Sequence, residues 1–241
     1  MRHALASLTL VAFCASQVQA QNAGGCTAEA MLVFDASGSM ASMGYNGLDL
    51  PRIVEARDAV RRALPRITQV RNLGLVTYGP GPRDSCDNIN LRVLPERNSA
   101  SRIIAEIDAL QPDGDTPLTQ SVRTAVDVLE ERGGGGEVVL VTDGRETCLG
   151  EPCALAADLA EAHRGITVHV IGFRVRPANF QWQGAEGYPQ SMVFSVAECL
   201  SDRTGGMYVP AENTQELEEA LLSTLGCAIL SERKREEKAR G

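Results

Sequence analysis

Histidine is scarce in this 241-residue chain, which has only His3, His163 and His169. Imidazole is the usual activator of a serine or cysteine nucleophile and the commonest metal ligand, so its scarcity narrows the chemistry at once. His3 lies in a segment read below as an export signal, and His169 sits inside the strand pattern TVHVIGF, where it reads as a packed or cross-strand residue. The nucleophile elbow G-x-S-x-G is missing where serines cluster: two positions before Ser37 stands Asp35, and two before Ser39 stands Ser37. Neither a glycine-rich phosphate loop nor a C-x-x-C pair occurs. The apolar run from Ala4 to Ala15 is too short to cross a bilayer, and no later stretch approaches that length.

That run belongs instead to a secretory signal over residues 1–20, with Arg2 as its positive start and Val18-Gln19-Ala20 as a small-residue cleavage site. The mature protein is therefore expected in the periplasm or secreted. A lipoprotein alternative acylated at Cys26 needs an apolar residue three places earlier and finds Ala23, well beyond the apolar run. Loss of Arg2 leaves 22 basic against 31 acidic residues, a net charge of −9, which argues against nucleic acid or an anionic membrane as partner. Loss of Cys14 leaves Cys26, Cys86, Cys148, Cys153, Cys199 and Cys227, an even number for which disulfides are the default in an exported chain. A redox or zinc role for Cys148 and Cys153 is the weaker alternative, since their spacing is wrong and neither His163 nor His169 is placed to join them.

Periodicity supplies the organisation. Short apolar runs at Ala30 to Phe34, Leu73 to Tyr78, Glu137 to Thr142, Thr167 to Phe173 and Met207 to Pro210 read as buried parallel strands. Between them run helical stripes: Ile53, Ala56, Val60, Leu64 and Ile67; Ile103, Ile107 and Leu110; Leu118, Val122, Ala125, Val126 and Leu129; Leu155, Leu159 and Ala162; Leu217, Leu221 and Leu225 behind an Asn213 cap. Ile89 to Leu94 follows its predecessor after only a short loop and is expected as an antiparallel edge strand. The expected fold is α/β: a doubly wound, mostly parallel six-stranded sheet with helices on both faces. Gly133 to Gly136 reads as a flexible linker. The irregular stretch 174–191 carries Phe180, Trp182 and Tyr188 and reads either as a partner-binding loop or as packing over a sheet edge. Residues 228–241 read as a charged tail. In such a sheet Cys26 and Cys227, before the first strand and after the last helix, are expected to meet on the face opposite the site; three pairings of the other four cysteines stay open.

The first strand ends in MLVFDASGSM, where Asp35, Ser37 and Ser39 alternate and Gly38 is expected to let the backbone turn sharply. One carboxylate and two hydroxyls are hard oxygen donors, suited to Mg²⁺, with Mn²⁺ or Ca²⁺ as alternatives, and not to zinc. In DGDTPLT, Pro117 is expected at the first helical position, which makes Thr116 the N-cap. VVLVTDG is a second buried strand ending at Asp143. Ligands of doubly wound sheets sit where the strand order reverses, so the strands ending at Asp35 and Asp143 should be neighbours flanking that point.

In content and order, DASGSM, DGDTPLT and LVTDG resemble the von Willebrand factor A (VWA) family and its metal-ion-dependent adhesion site, over roughly Ala30 to Leu225, with the domain placed at 30–227 after a short segment, 21–29. The chain is also similar to exported bacterial members in carrying YG followed by a cysteine loop and T-C-x-x-x-P-C after the T-D-G strand. The resemblance implies that Ser37, Ser39 and Thr116 contact the ion directly while Asp35 and Asp143 act through water or by holding the hydroxyls. It implies a protein-binding module, not an enzyme, whose ion captures an Asp or Glu of a protein partner. The alternative is a metal-assisted hydrolase acting on phosphate or acyl esters. It further implies that a Cys26–Cys227 bridge would resist the sliding of the last helix by which switchable members change affinity.

Overall fold

Strand β1 (Ala30–Asp35) is buried at all six positions, which is why its sequence, AMLVFD, is apolar until the final aspartate. A computed structural model describes residues 29–43, 50–81, 85–144, 146–162, 165–175 and 198–226. The export signal, Cys26, Cys227, the charged tail and all of the 174–191 stretch beyond Val175 lie outside them. Five further strands follow: β2 (Leu73–Tyr78), β3 (Ile89–Glu96), β4 (Gly136–Thr142), β5 (Ile166–Phe173) and β6 (Tyr208–Ala211). They form one sheet in the order β3-β2-β1-β4-β5-β6, parallel throughout except for β3, which runs antiparallel along one edge. Its helices are α1 (Arg52–Ile67), α2 (Ala100–Ala109), α3 (Leu118–Glu131), α4 (Pro152–Glu161), α5 (Glu198–Thr204) and α6 (Thr214–Thr224). This is the doubly wound mixed sheet that the strand and helix patterns require.

Alternate strand residues feed two separate cores, as a pleated strand demands. Leu32 and Phe34 of β1 pack with Leu75, Val139, Ile171 and the apolar stripes of α1, α2 and α6. Met31 and Val33 point the other way, to Val76, Leu140, Val168 and the stripes of α3, α4 and α5. The Asn213 side chain accepts from the Glu216 backbone N–H, and Glu216 reaches back to the Glu212 N–H, so α6 opens with a reciprocal cap. His169 is buried in β5, where its Nδ1 accepts the Met207 N–H.

Two local expectations, at Pro117 and Gly136, are corrected. Pro117 is the N-cap of α3 and Leu118 its first helical residue, so Thr116 lies outside the helix and its hydroxyl caps nothing. Gly38 lies at the sharp turn expected of it, opening a short 3-10 turn, Gly38–Ala41, and its N–H donates to the Gly114 carbonyl at 3.1 Å. Gly136 begins β4, and with Gly133, Gly134 and Gly135 it has positive φ, so the glycine run is a turn of defined shape.

Candidate metal centre

The sheet order changes direction between β1 and β4, and from the carboxyl ends of these adjacent strands hang Asp35 and Asp143. Three loops close on them. After β1 the chain enters the 3-10 turn carrying Ser37 and Ser39, whose hydroxyl oxygens are 3.1 Å apart. Before α3, the Gly38 and Asp113 amides pair with the Gly114 and Ala36 carbonyls and bind the Thr116 segment to the first loop. After β4 comes Gly144, where a β-carbon would lie 3.5 Å from Ser39 Oγ and 4.0 Å from Thr116 Oγ1. Both oxygens therefore face one small space that a side chain at 144 would fill. Gly79 shows how tightly the loops are stacked: its φ is +105°, and a β-carbon would come within 2.3 Å of the Ser37 nitrogen.

Each carboxylate oxygen at the centre already has a donor. Asp35 Oδ1 accepts the Ser37 N–H at 2.8 Å and Oδ2 accepts the Thr142 hydroxyl at 2.8 Å. Asp143 Oδ1 accepts the Ser39 hydroxyl at 2.6 Å, and Oδ2 pairs with Arg52 Nη1 at 2.5 Å. Asp35, Ser37, Thr142, Asp143 and Arg52 are all buried, whereas Ser39 is partly open to solvent. Burial, and after it the Asp35 charge, pushes the Asp143 carboxyl up to about 6, against the opposing pull of Ser39 and Arg52. Tyr78 is wholly buried beside them, and desolvation followed by the Asp35 charge raises its hydroxyl well above the ordinary value, so it stays neutral.

Among the described residues, the donors facing the Gly144 space are hydroxyl oxygens, backed by two carboxylates and by no nitrogen or sulfur ligand, a set that fits a hard divalent cation. Among the described residues one other group has metal-ligating atoms close together, Cys86, Cys148 and Asp115, but its two sulfurs are joined in a disulfide. The structure thus brings Asp35, Ser37, Ser39, Thr116 and Asp143 to one point.

Four contributors have no role assigned by the motifs. Arg52, first residue of α1, ion-pairs with Asp143. Thr142 holds Asp35. Thr147 clasps Thr116: its hydroxyl accepts the Thr116 N–H at 2.8 Å while its own N–H donates to the Thr116 carbonyl at 3.2 Å. Glu146 accepts the N–H and hydroxyl of Thr119 and the Cys148 N–H, and so supplies from another loop the cap that Pro117 cannot give α3. The four described cysteines pair as Cys86–Cys148, which fastens the β2–β3 loop to this β4–α4 loop, and Cys153–Cys199, which joins α4 to α5.

Comparison with known proteins places this geometry. The family model described as "von Willebrand factor type A domain" matches residues 30–146. YwmC, an uncharacterized protein of Bacillus subtilis (strain 168), is 29% identical over 224 residues, covering 89% of each chain. The pilus adhesin SpaC of Lactobacillus rhamnosus GG superposes with a TM-score of 0.59 at 15% identity, over 83% of this chain and 30% of its own. Proximal thread matrix protein 1 of the mussel byssus, solved with a zinc-occupied MIDAS motif, gives 0.54 at 17% identity, over 84% of this chain and 46% of its own. The chain thus spans less than half the length of these two solved proteins, and at such identities the likeness is one of fold.

Proposed function

Because the chain contains a von Willebrand factor type A domain, we propose that it is an exported, metal-dependent protein-binding module. The observation that carries this reading is the division of labour at the centre. Every carboxylate oxygen of Asp35 and Asp143 is engaged by a donor of the chain, leaving the hydroxyls of Ser37, Ser39 and Thr116 to hold the ion. A bound divalent ion supplies a Lewis-acidic position for an anionic ligand, and neutral hydroxyl donors leave its charge under-compensated. The chain's part is to keep the three hydroxyls fixed around a small space and to present Ser39 toward solvent. A protein partner would offer an Asp or Glu there. Mg²⁺ is the first ion to test, with Mn²⁺ and Ca²⁺; Zn²⁺ joins them because the mussel protein holds it in its own MIDAS motif.

Two disulfides support an oxidising compartment, periplasmic or extracellular, and no described helix is long and apolar enough to cross a membrane. Calorimetric titration of the mature protein with each ion tests the site. Asp35→Ala and Asp143→Ala are expected to abolish measurable binding while far-ultraviolet circular dichroism stays native, and EDTA should release any partner recovered by pull-down. Unchanged ion affinity in both variants would overturn the assignment.

A further inference from the structure

Arg52 is a buried cation placed where a cation site would seem least able to accept one. It opens α1, its backbone N–H donates to the Ser42 carbonyl, and its guanidinium is carried under the serine loop to Asp143, 91 residues away in sequence. The guanidinium pairs with Asp143 Oδ2 while Ser39 occupies Oδ1, so both oxygens of this carboxylate are turned to the chain. Its Nε is buried without a hydrogen-bond partner, as are those of Arg71 and Arg174 in their own ion pairs, so what sets Arg52 apart is its partner, a carboxylate that also holds a serine of the centre.

We infer that Arg52 sets the charge of the loaded site and thereby its preference for an anionic partner. The inference rests on the metal-dependent reading above and deepens it. Asp35 and Asp143 stand behind the neutral hydroxyls, and without Arg52 their two charges would offset the ion's from there and weaken the pull on a carboxylate that those hydroxyls leave. With Arg52 in contact, the three buried charges sum to a single negative, and the loaded centre keeps one positive charge. Arg52 therefore weakens the hold on the ion and strengthens the hold of the loaded site on an anion. It acts through Asp143 and by its field, not as a ligand, and is a positioning residue. It also lets Asp143 and Ser39 remain in place before the ion arrives, since Asp143 is never left as an unpaired buried charge.

The test uses Arg52→Met, which keeps much of the side-chain volume and removes the charge, and Arg52→Lys, which keeps the charge without the planar fork. Mg²⁺ and Mn²⁺ affinity are read by calorimetry, and acetate binding to the Mn²⁺-loaded protein by the paramagnetic relaxation of water protons. Arg52→Met should bind the ion at least about tenfold more tightly and acetate at least about tenfold more weakly, with a larger ion-induced rise in Tm. Arg52→Lys should stay within about threefold of the parent in both. If Arg52→Met does not fold without an ion, folding in Mg²⁺ and the acetate measurement still decide the matter, as does Arg52→Lys. Ion and acetate affinities unchanged in Arg52→Met, against a parent that binds the ion, would overturn the role of Arg52 alone. A parent with no ion affinity would overturn both this inference and the reading beneath it.

Discussion

At the residue scale the centre is governed by one carboxylate held against its preference. Asp143 is buried beside Asp35, and its pKa is carried from 3.8 to about 6 although Arg52 and Ser39 pull the other way. A carboxyl raised in the folded state binds more protons folded than unfolded between these values, so the metal-free protein should lose stability as pH rises from about 4 through about 6 and be level beyond. The full difference is on the order of 3 kcal/mol. Urea denaturation across this range checks it, and Asp143→Asn should remove the slope. Proton and ion compete for the same site, so ion affinity should fall as pH drops below about 6. A metal-free stability that instead rises over this interval, and rises equally in Asp143→Asn, would assign the pH dependence to other groups.

Among the elements, the β4–α4 loop does most to shape the site while looking least like part of it. Thr147 clasps Thr116, and Glu146 caps α3 at Thr119 with a charge at the positive end of the helix. Glu146→Ala should cost about 1–2 kcal/mol in denaturant unfolding and weaken ion binding less than Asp35→Ala does, because Thr116 is loosened and not removed. A stability loss under about 0.5 kcal/mol would mean that the cap is replaced by water. The T-C-x-x-x-P-C pattern marks this loop in the sequence, but the roles of Thr147 and Glu146 stay hidden there for a physical cause. Apolar runs such as MLVF and VVLV announce buried strands, and Asp35, Ser37 and Ser39 share one loop, so convergence follows from local spacing. Thr147 and Glu146 act through backbone groups of a segment about thirty residues away, which no periodicity records. Arg52 at a helix start looks like an ordinary solvated charge until the sheet order sets β4 beside β1. Helix α5, ECLSDRT, buries only Leu200 and Ser201 and offers no stripe to read, whereas the 16 residues of α1 repeat theirs over four turns. Pro117 was misplaced by one residue, within the ordinary latitude of a helix boundary, but the shift matters because it frees the Thr116 hydroxyl from capping.

For the whole molecule, the two bridges separate a stability role from a site role. Cys86–Cys148 closes 62 residues and Cys153–Cys199 closes 46, and the two loops do not overlap along the chain. The chain-entropy model gives about 4 kcal/mol for either one, so stability alone would not distinguish them. Position does. Cys153–Cys199 ties α4 to α5 on one layer of the sheet. Cys148 follows directly on Thr147 and its backbone N–H donates to the Glu146 carboxylate, so the Cys86 bridge holds the loop that clasps Thr116 and caps α3. Cys153→Ser/Cys199→Ser is therefore expected to lower Tm while leaving ion affinity within about twofold of the parent, whereas Cys86→Ser/Cys148→Ser should lower Tm by a similar amount and weaken ion binding several-fold. Thermal scans paired with calorimetric titration of both double variants measure the separation. Equal losses of ion affinity would mean that the bridges act only through global stability, and the coupling of the β4–α4 loop to the centre would then run through Thr147 and Glu146 without help from the bridge.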